Sequence, residues 1–185
     1  MKPKVKKPQV TKWHGLPAQR FVKYNKWINR EKPGICGTYT SGVLLHDFLK
    51  TEYGINYAKK DIIEGLKPVV DLWLPYRGTF IHDLVHGLNF MLDGVPNVKV
   101  SWDIFAEMKA TKLLSNDTKR PIIIGTNKFL GSPYGNHWVV AYQYGYDKEG
   151  ELWFKVTDNH GRYKSYISMK ESLSCIWIQN KSEEI

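Results

Sequence analysis

The sequence has few cysteines and no long apolar run, so neither disulfide bonds nor a membrane would stabilise its fold in place of a hydrophobic core. It has two cysteines in 185 residues, too few for the disulfide framework of small secreted domains. No run of about 18 consecutive apolar residues occurs, so the sequence predicts no transmembrane segment. With 42% hydrophobic residues, the chain can bury one substantial core, and we expect a single domain.

Acidic residues are absent from the first thirty positions, whereas nine of the 27 Lys and Arg residues lie there. The remaining basic residues balance the 18 acidic ones, so the net charge of +9 is local to this end. We predict that residues 1–12, rich in Lys and Pro, form a disordered basic arm and that residues 13–185 form the domain. Such an arm suits nucleic acid or another anionic polymer. We favour the alternative, in which the aromatic residues that follow the arm pin this segment to the domain.

The basic start is not followed by the apolar stretch of a secretory signal. The sequence therefore predicts a cytoplasmic location by default, or secretion if a leader has been removed. It does not predict an oligomeric state.

Motifs for cofactors and metals are also lacking. The glycine-containing segment 131–135 has neither the Lys nor the strand-to-helix setting of a phosphate loop. His82 and His86 share a helix face at the spacing of zinc helices, but Asp83 replaces the usual Glu and no third ligand follows. We predict no cofactor and no metal, with both histidines on a wet helix face. We interpret the isolated histidines as surface or local hydrogen-bonding residues: His14, His46 and His160.

Helical patterns come first along the chain and strand patterns second. Apolar spacing and stop signals predict helices at about 36–51, 58–66, 79–92 and 101–114, with Thr79 as the cap of the third and Pro68 ending the second. Short β-branched or aromatic runs predict strands at 121–125, 137–146, 152–157, 163–168 and 175–179. This segregation predicts an α+β fold with N-terminal helices packed on a C-terminal antiparallel sheet.

Cys36 is the most informative residue, because it stands at the start of the first predicted helix. The unpaired amides and the dipole of a helix N-terminus favour a thiolate, so we expect a lowered thiol pKa there. Gly34 and Gly37 leave the backbone bare around the sulfur, and a substrate carbonyl could approach closely. Cys175, in contrast, lies in a strand-like run, where a thiol behaves as a small hydrophobic side chain.

Two downstream residues complete a nucleophile set. His137 opens an apolar strand after a turn, and Asp158 ends the next strand, so a hairpin could bring the carboxylate to the imidazole as in a catalytic triad. Asn159 is the alternative third member, because an amide can orient the ring too. Side chains alternate along a strand, so only one of the two faces His137. We prefer Asp158.

This order of motifs resembles the papain-like cysteine peptidases over roughly residues 30–180. The motifs are Cys-Gly opening a helix, His-Trp-Val-Val opening a strand and Asp-x-x-Gly closing the next one. Within that family the sequence is most similar to the bacterial branch of bacteriocin-processing, double-glycine peptidases. The resemblance implies Cys36 as nucleophile, His137 as general base and acid, and Asp158 as the orienting residue.

One position departs from the pattern of this family. Its members usually carry a Gln about six residues before the cysteine, which completes the oxyanion hole, and here that position is Arg30. Asn29 is the nearest amide, and either residue could donate. Loss of one such donor typically costs a factor of about 100 to 1,000 in rate.

We therefore predict a cysteine peptidase that cleaves a peptide or isopeptide bond through a thioester on Cys36. The sequence leaves two alternatives open. One is an amidase or acyltransferase on the same fold. The other is a catalytically weak binding module that uses the basic arm. The partner predicted for the enzyme is a peptide or protein substrate.

Overall fold

The computed structural model describes residues 3–31, 34–75, 78–104, 106–115 and 120–182. The helices in these ranges are α1 (Cys36–Tyr53), α2 (Lys59–Val70), α3 (Ile81–Met91) and α4 (Ala106–Ser115). The strands are β1 (His14–Gly15), β2 (Val98–Asp103), β3 (Ile122–Thr126), β4 (His137–Tyr146), β5 (Leu152–Thr157), β6 (Ser165–Ser168) and β7 (Ser172–Asn180). Short 3-10 helices lie at Ala18–Lys26 and Met169–Glu171.

The strands in the described ranges form one antiparallel sheet in the order β2-β7-β3-β4-β5-β6, and β1 pairs with the far end of β4. Three helices precede all the strands of this main path. The predicted α+β class, with N-terminal helices packed on an antiparallel sheet, is confirmed.

The centre of the sheet is buried on both faces. Along β4, Trp138, Val140 and Tyr142 belong to the core shared with α1, α2 and α3. The alternate residues Val139 and Ala141 belong to a second core, which packs against α4. Because successive side chains of a strand point to opposite faces, one apolar run serves both cores. The strand that begins with His137 is therefore held by packing on both of its faces.

Close helix packing depends on a glycine where α2 meets α3. A Cβ atom on Gly87 would lie 2.2 Å from Cγ2 of Val70, so only glycine fits there. Val70 is fully enclosed at this contact. Its burial explains why α2 continues two residues beyond Pro68, where the sequence predicted an end.

Two further helix boundaries differ from the prediction. The start of the fourth helix was wrong, because Val98–Asp103 pairs with β7 as a strand and α4 begins only at Ala106. The cap of the third helix was also wrong. Helix α3 begins at Ile81, and its first turn is closed by the backbone N–H of Phe80, which donates to Asp83 Oδ2 at 2.7 Å.

Residues 3–12 have no regular secondary structure. Arg162 Nη1 donates to the carbonyl oxygen of Pro3 at 2.9 Å, and Trp13 packs against Tyr166 with ring centroids 5.7 Å apart. The division into a basic arm and one domain stays a prediction. None of the described helices is long and apolar enough to cross a membrane.

Candidate active site

A cleft of about 730 Å³ opens where the start of α1 faces the ends of the central strands. Cys36 and His137 both line it, from the helical side and the sheet side respectively. Asn29 and His160 lie on its walls as well. The structure thus brings the predicted nucleophile and the predicted base to one surface.

The first turn of α1 is capped by a residue that is distant in sequence. The residue before Cys36 supplies no side-chain cap. Instead, Asp71, just after α2, accepts a hydrogen bond from the backbone N–H of Thr38 at 2.7 Å and another from the hydroxyl of Thr79. A Cβ atom on Gly37 would lie 2.3 Å from Cγ2 of Thr79, so Gly37 permits this close approach. Asp71 and Thr79 together fix the helix end that carries the thiol.

A buried hydrogen-bonded junction ties α1 to β4 directly beneath the site. Thr40 Oγ1, one turn after Cys36, donates to the carbonyl oxygen of Trp138 at 2.9 Å. The indole Nε1 of Trp138 donates to the carbonyl oxygen of Thr79 at 2.9 Å. Since Trp138 follows His137 directly, these bonds fix the start of α1 and the imidazole relative to each other.

The imidazole of His137 is oriented by a main-chain group. Its Nε2 lies 3.1 Å from the carbonyl oxygen of Asp158. A carbonyl oxygen can only accept, so Nε2 must carry the proton and Nδ1 is left with a free lone pair. This tautomer is the one in which Nδ1 can act as a base.

The carboxylate of Asp158 is used within its own loop and by Tyr134. Oδ1 accepts the backbone N–H groups of His160 and Arg162 at 3.0 and 3.1 Å. Oδ2 accepts the hydroxyl of Tyr134 at 2.9 Å. The structure therefore places Asp158 beside His137, but the contact is made by its carbonyl and not by the carboxylate that the sequence led us to expect.

Asn159 adopts a left-handed conformation with φ of 57°. Its Nδ2 donates to Thr40 Oγ1 at 2.6 Å, which extends the junction beneath the site. Its carbonyl oxygen accepts the backbone N–H of Asn29 at 3.0 Å. The side chain of this alternative third member is thus bound to α1 and does not reach the imidazole.

The two candidate oxyanion donors occupy different environments. Asn29 lines the cleft, and its Oδ1 accepts the backbone N–H of Glu31 at 3.2 Å. That bond turns Nδ2 towards Gly34, next to Cys36 in the cleft wall. Arg30 is exposed to solvent and does not line the cleft. Geometry favours Asn29.

Electrostatics at the site keep both reacting groups neutral. Burial raises the pKa of the Cys36 thiol, and the negative charge of Asp71 adds to this, while hydrogen bonding to the backbone of Trp138 and to Thr79 acts in the other direction. Burial lowers the pKa of His137 to about 4 against a smaller opposing effect of its hydrogen bond to the Asp158 backbone. The raised thiol pKa is opposite to our expectation from the helix N-terminus alone, because burial disfavours the thiolate and Asp71 already occupies that end of the helix.

The sequence analysis missed three residues of the site. No sequence motif pointed to Asp71 or Tyr134, because Asp71 contacts Thr38 and Tyr134 contacts Asp158 across large separations in sequence. His160 was interpreted as a surface or local residue, yet it lines the cleft. Its place in the tetrapeptide Asp158–Gly161, beside the predicted third member, was the signal available.

No group of three or more His, Cys, Asp or Glu side chains in the described part of the chain is arranged to hold a metal ion. His82 and His86 are exposed, and each stacks on an aromatic ring, on Phe80 and Trp73 respectively. His46 is buried and its Nδ1 lies 2.8 Å from the hydroxyl of Tyr24.

No protein-family model matches this chain, and no curated protein matches it by sequence. Among solved structures, the chain is similar to a recombinant stem bromelain precursor, with a TM-score of 0.44 and 15% identity over 94% of this chain and 72% of that one. It is similar to bromelain from Ananas comosus in complex with the inhibitor E64, with a TM-score of 0.40 and 15% identity over 78% of this chain and 88% of that one. It is also similar to the proform of the ragweed pollen cysteine protease Amb a 11, with a TM-score of 0.44 and 13% identity over 91% of this chain and 65% of that one. TM-scores below 0.5 describe weak likenesses, which by themselves do not say what this chain does.

Substitution of Asp71 by Asn should make Cys36 more reactive at neutral pH. The amide oxygen can still accept the backbone N–H of Thr38, and the amide N–H can donate to the Thr79 hydroxyl, but the charge that disfavours the thiolate is removed. We expect the rate of iodoacetamide alkylation at pH 7 to rise by about tenfold, with the pH profile moved to lower pH. Asp61→Asn, at the exposed opposite end of α2, is the matched control and should leave the profile unchanged. An Asp71→Asn profile that coincides with the wild type would contradict this role.

Proposed function

We propose that the chain is a papain-like cysteine peptidase, with Cys36 as nucleophile and His137 as general base and acid. The single observation that carries the proposal is their placement on one cleft, with Nε2 of His137 occupied by a carbonyl and Nδ1 free. The backbone of Trp138, which directly follows His137, acts on the Cys36 thiol and opposes the rise of its pKa, and this proximity supports the proposal. These are the elements that thiol-dependent acyl transfer requires.

The reaction begins when Nδ1 of His137 takes the thiol proton as the sulfur attacks the carbonyl carbon of the substrate. The backbone N–H of Cys36 and Nδ2 of Asn29 stabilise the oxyanion of the tetrahedral intermediate. The imidazolium then donates its proton to the leaving nitrogen, the C–N bond breaks and a thioester forms. Water, deprotonated by His137, attacks the thioester, releases a carboxylic acid and restores the thiol.

The pKa values of Cys36 and His137 favour a neutral thiol and a neutral imidazole in the free protein over a thiolate–imidazolium ion pair. The proton is then transferred as the sulfur attacks. A raised thiol pKa and a lowered imidazole pKa leave both groups neutral in the free protein. The same lowered pKa makes the imidazolium a stronger acid once it has formed. It therefore helps to protonate the leaving amine, for which a strong acid is needed.

The narrower proposal is kinship with the bacterial double-glycine peptidases, and it rests on the motifs around Cys36, His137 and Asp158. The substrate class we propose is a peptide or protein. An amidase or acyltransferase on the same site would form the same thioester and differ only in the group that resolves it.

An activity-based probe for cysteine hydrolases tests the proposal. We expect the probe to label the full-length wild type on Cys36 and to leave Cys36→Ala unlabelled, because no second thiol lines the described cleft. Cys175→Ala, which removes the buried thiol of β7, should label like the wild type. Mass spectrometry of the protein mixed with candidate peptides and amines then separates hydrolysis from transfer. Absence of labelling on Cys36 in the folded protein would refute the proposal that this chain is a cysteine peptidase.

Substitution of Asp158 by Asn tests whether the imidazole depends on the carbonyl or on the carboxylate. The carbonyl contact survives, and the amide oxygen can still accept the backbone N–H groups of the loop. We expect kcat/KM to fall by less than about tenfold. A triad carboxylate that contacted the ring would instead give a loss of about 10⁴ in kcat. His137→Asn is the reference for full loss of the base.

The oxyanion hole can be tested with neighbouring substitutions. Asn29→Ala should lower kcat by a factor of about 100 to 1,000 with little change in KM, because the lost bond forms mainly in the transition state. Arg30→Ala is the matched control, since its side chain is exposed and outside the cleft. Equal losses of kcat in both variants, or a larger loss for Arg30→Ala, would show that Asn29 is not the oxyanion donor.

A further inference from the structure

A second imidazole lies against the proposed general base. The rings of His137 and His160 stack with centroids 4.8 Å apart and an interplanar angle of 28°. The ring of Tyr134 lies near both, at 5.6 Å from His137 and 6.1 Å from His160. His160 also lines the cleft, so solvent and protons reach it.

One residue, Asp158, contacts both histidines. The carbonyl oxygen of Asp158 binds Nε2 of His137, and its Oδ1 accepts the backbone N–H of His160. The loop is closed again by the bond from Asp158 N–H to the carbonyl oxygen of Arg162. Asp158 therefore holds the ring of His137 and the backbone of His160 within one loop.

The charged and titratable groups around this pair come from four elements. Tyr134 precedes β4, and the Asp158 carboxylate and Arg162 belong to the loop of His160 itself. Across the cleft stand the thiol of Cys36 and the carboxylate of Glu31, and Glu31 is already paired with Lys67. The positive charge of a protonated His160 would therefore act most directly on the ring in contact with it, that of His137.

We propose that His160 is a positioning residue for His137, whose ring holds the imidazole by stacking when neutral and whose charge keeps His137 unprotonated in mildly acidic solution. Histidine gains its charge between about pH 5 and 8, so the device responds to acidity near the physiological range. Two like charges in contact disfavour each other, and the second imidazole titrates only at a lower pH. The direction agrees with the pKa of His137, which burial lowers most and the charge of His160 lowers further.

The consequence for catalysis rests on the proposed function. A base that stays unprotonated at lower pH extends the acid limit of kcat/KM. His160 acts through His137 and takes no part in bond making or breaking.

The test is an NMR titration of the imidazole C–H signals in the full-length protein. His160→Phe keeps an aromatic ring for stacking but cannot carry a charge, so the midpoint of His137 should rise by about one pH unit. His160→Gln, which removes both ring and charge, should raise it as well. His14→Phe is the matched control: His14 stacks on Tyr144 near the far end of β4, with ring centroids 5.3 Å apart, and its loss should leave His137 unchanged.

The titration distinguishes an effect of His160 from a general effect of losing a histidine. An unchanged His137 midpoint in His160→Phe overturns the proposal, and so does an equal shift in His14→Phe. A rise confined to the two His160 variants supports it, with or without peptidase activity. If the chain is a peptidase, the acid limb of kcat/KM in His160→Phe moves to higher pH by the same amount.

Discussion

The geometry of the site depends on the hydrogen bond from Thr40 to the carbonyl oxygen of Trp138. Thr40 is fully buried, one helical turn below Cys36, and Trp138 adjoins His137. Without this bond, α1 and β4 would meet mainly through apolar packing, which specifies a position less strictly than a buried hydrogen bond does. A buried polar group left without its partner costs about 1–3 kcal/mol, so the junction penalises such shifts. Asn159 adds a second bond to the same hydroxyl.

The start of α1 shows how the requirements of folding and of catalysis compete. An acidic side chain at a helix N-terminus stabilises the helix, and Asp71 supplies it from the end of α2. The same charge disfavours the thiolate for which a helix N-terminus is otherwise suited. The structure resolves the conflict in favour of a well-anchored thiol that is neutral at rest. In the mechanism that we propose, proton removal is then left to His137, which makes the orientation of that ring decisive.

Local patterns predicted much of this molecule. The strands β4 and β5 and the hairpin between them follow from alternating apolar residues and the turn signal Asp147–Gly150, and the structure has them with the predicted bounds. The helix that begins at Cys36 was likewise predicted from its apolar spacing. The strand β2 was not, because its pairing with β7 joins residues about eighty positions apart. The Ser and Asp residues there looked like helix caps when considered alone.

The sequence located the segments of the candidate site but not the contacts between them. The motifs at Cys36, His137 and Asp158 located three segments that meet at or beside the cleft. Which atom of Asp158 faces the imidazole depends on the exact turn of the backbone after β5, and residue type does not determine that. The role of Asp71 depends on how α2 packs beside α1. Such a contact forms only in the folded chain, and the separation of two residues in sequence does not predict it.

The unequal exposure of the two cysteines has a practical consequence. Cys175 is fully enclosed within the sheet, and burial raises its pKa to about 12, whereas Cys36 is partly exposed and lines the cleft. The native chain therefore offers one titratable equivalent to an electrophilic dye, and the second equivalent is released only when the sheet comes apart. Counting dye per molecule thus measures the intact fraction of a preparation without any knowledge of its substrate.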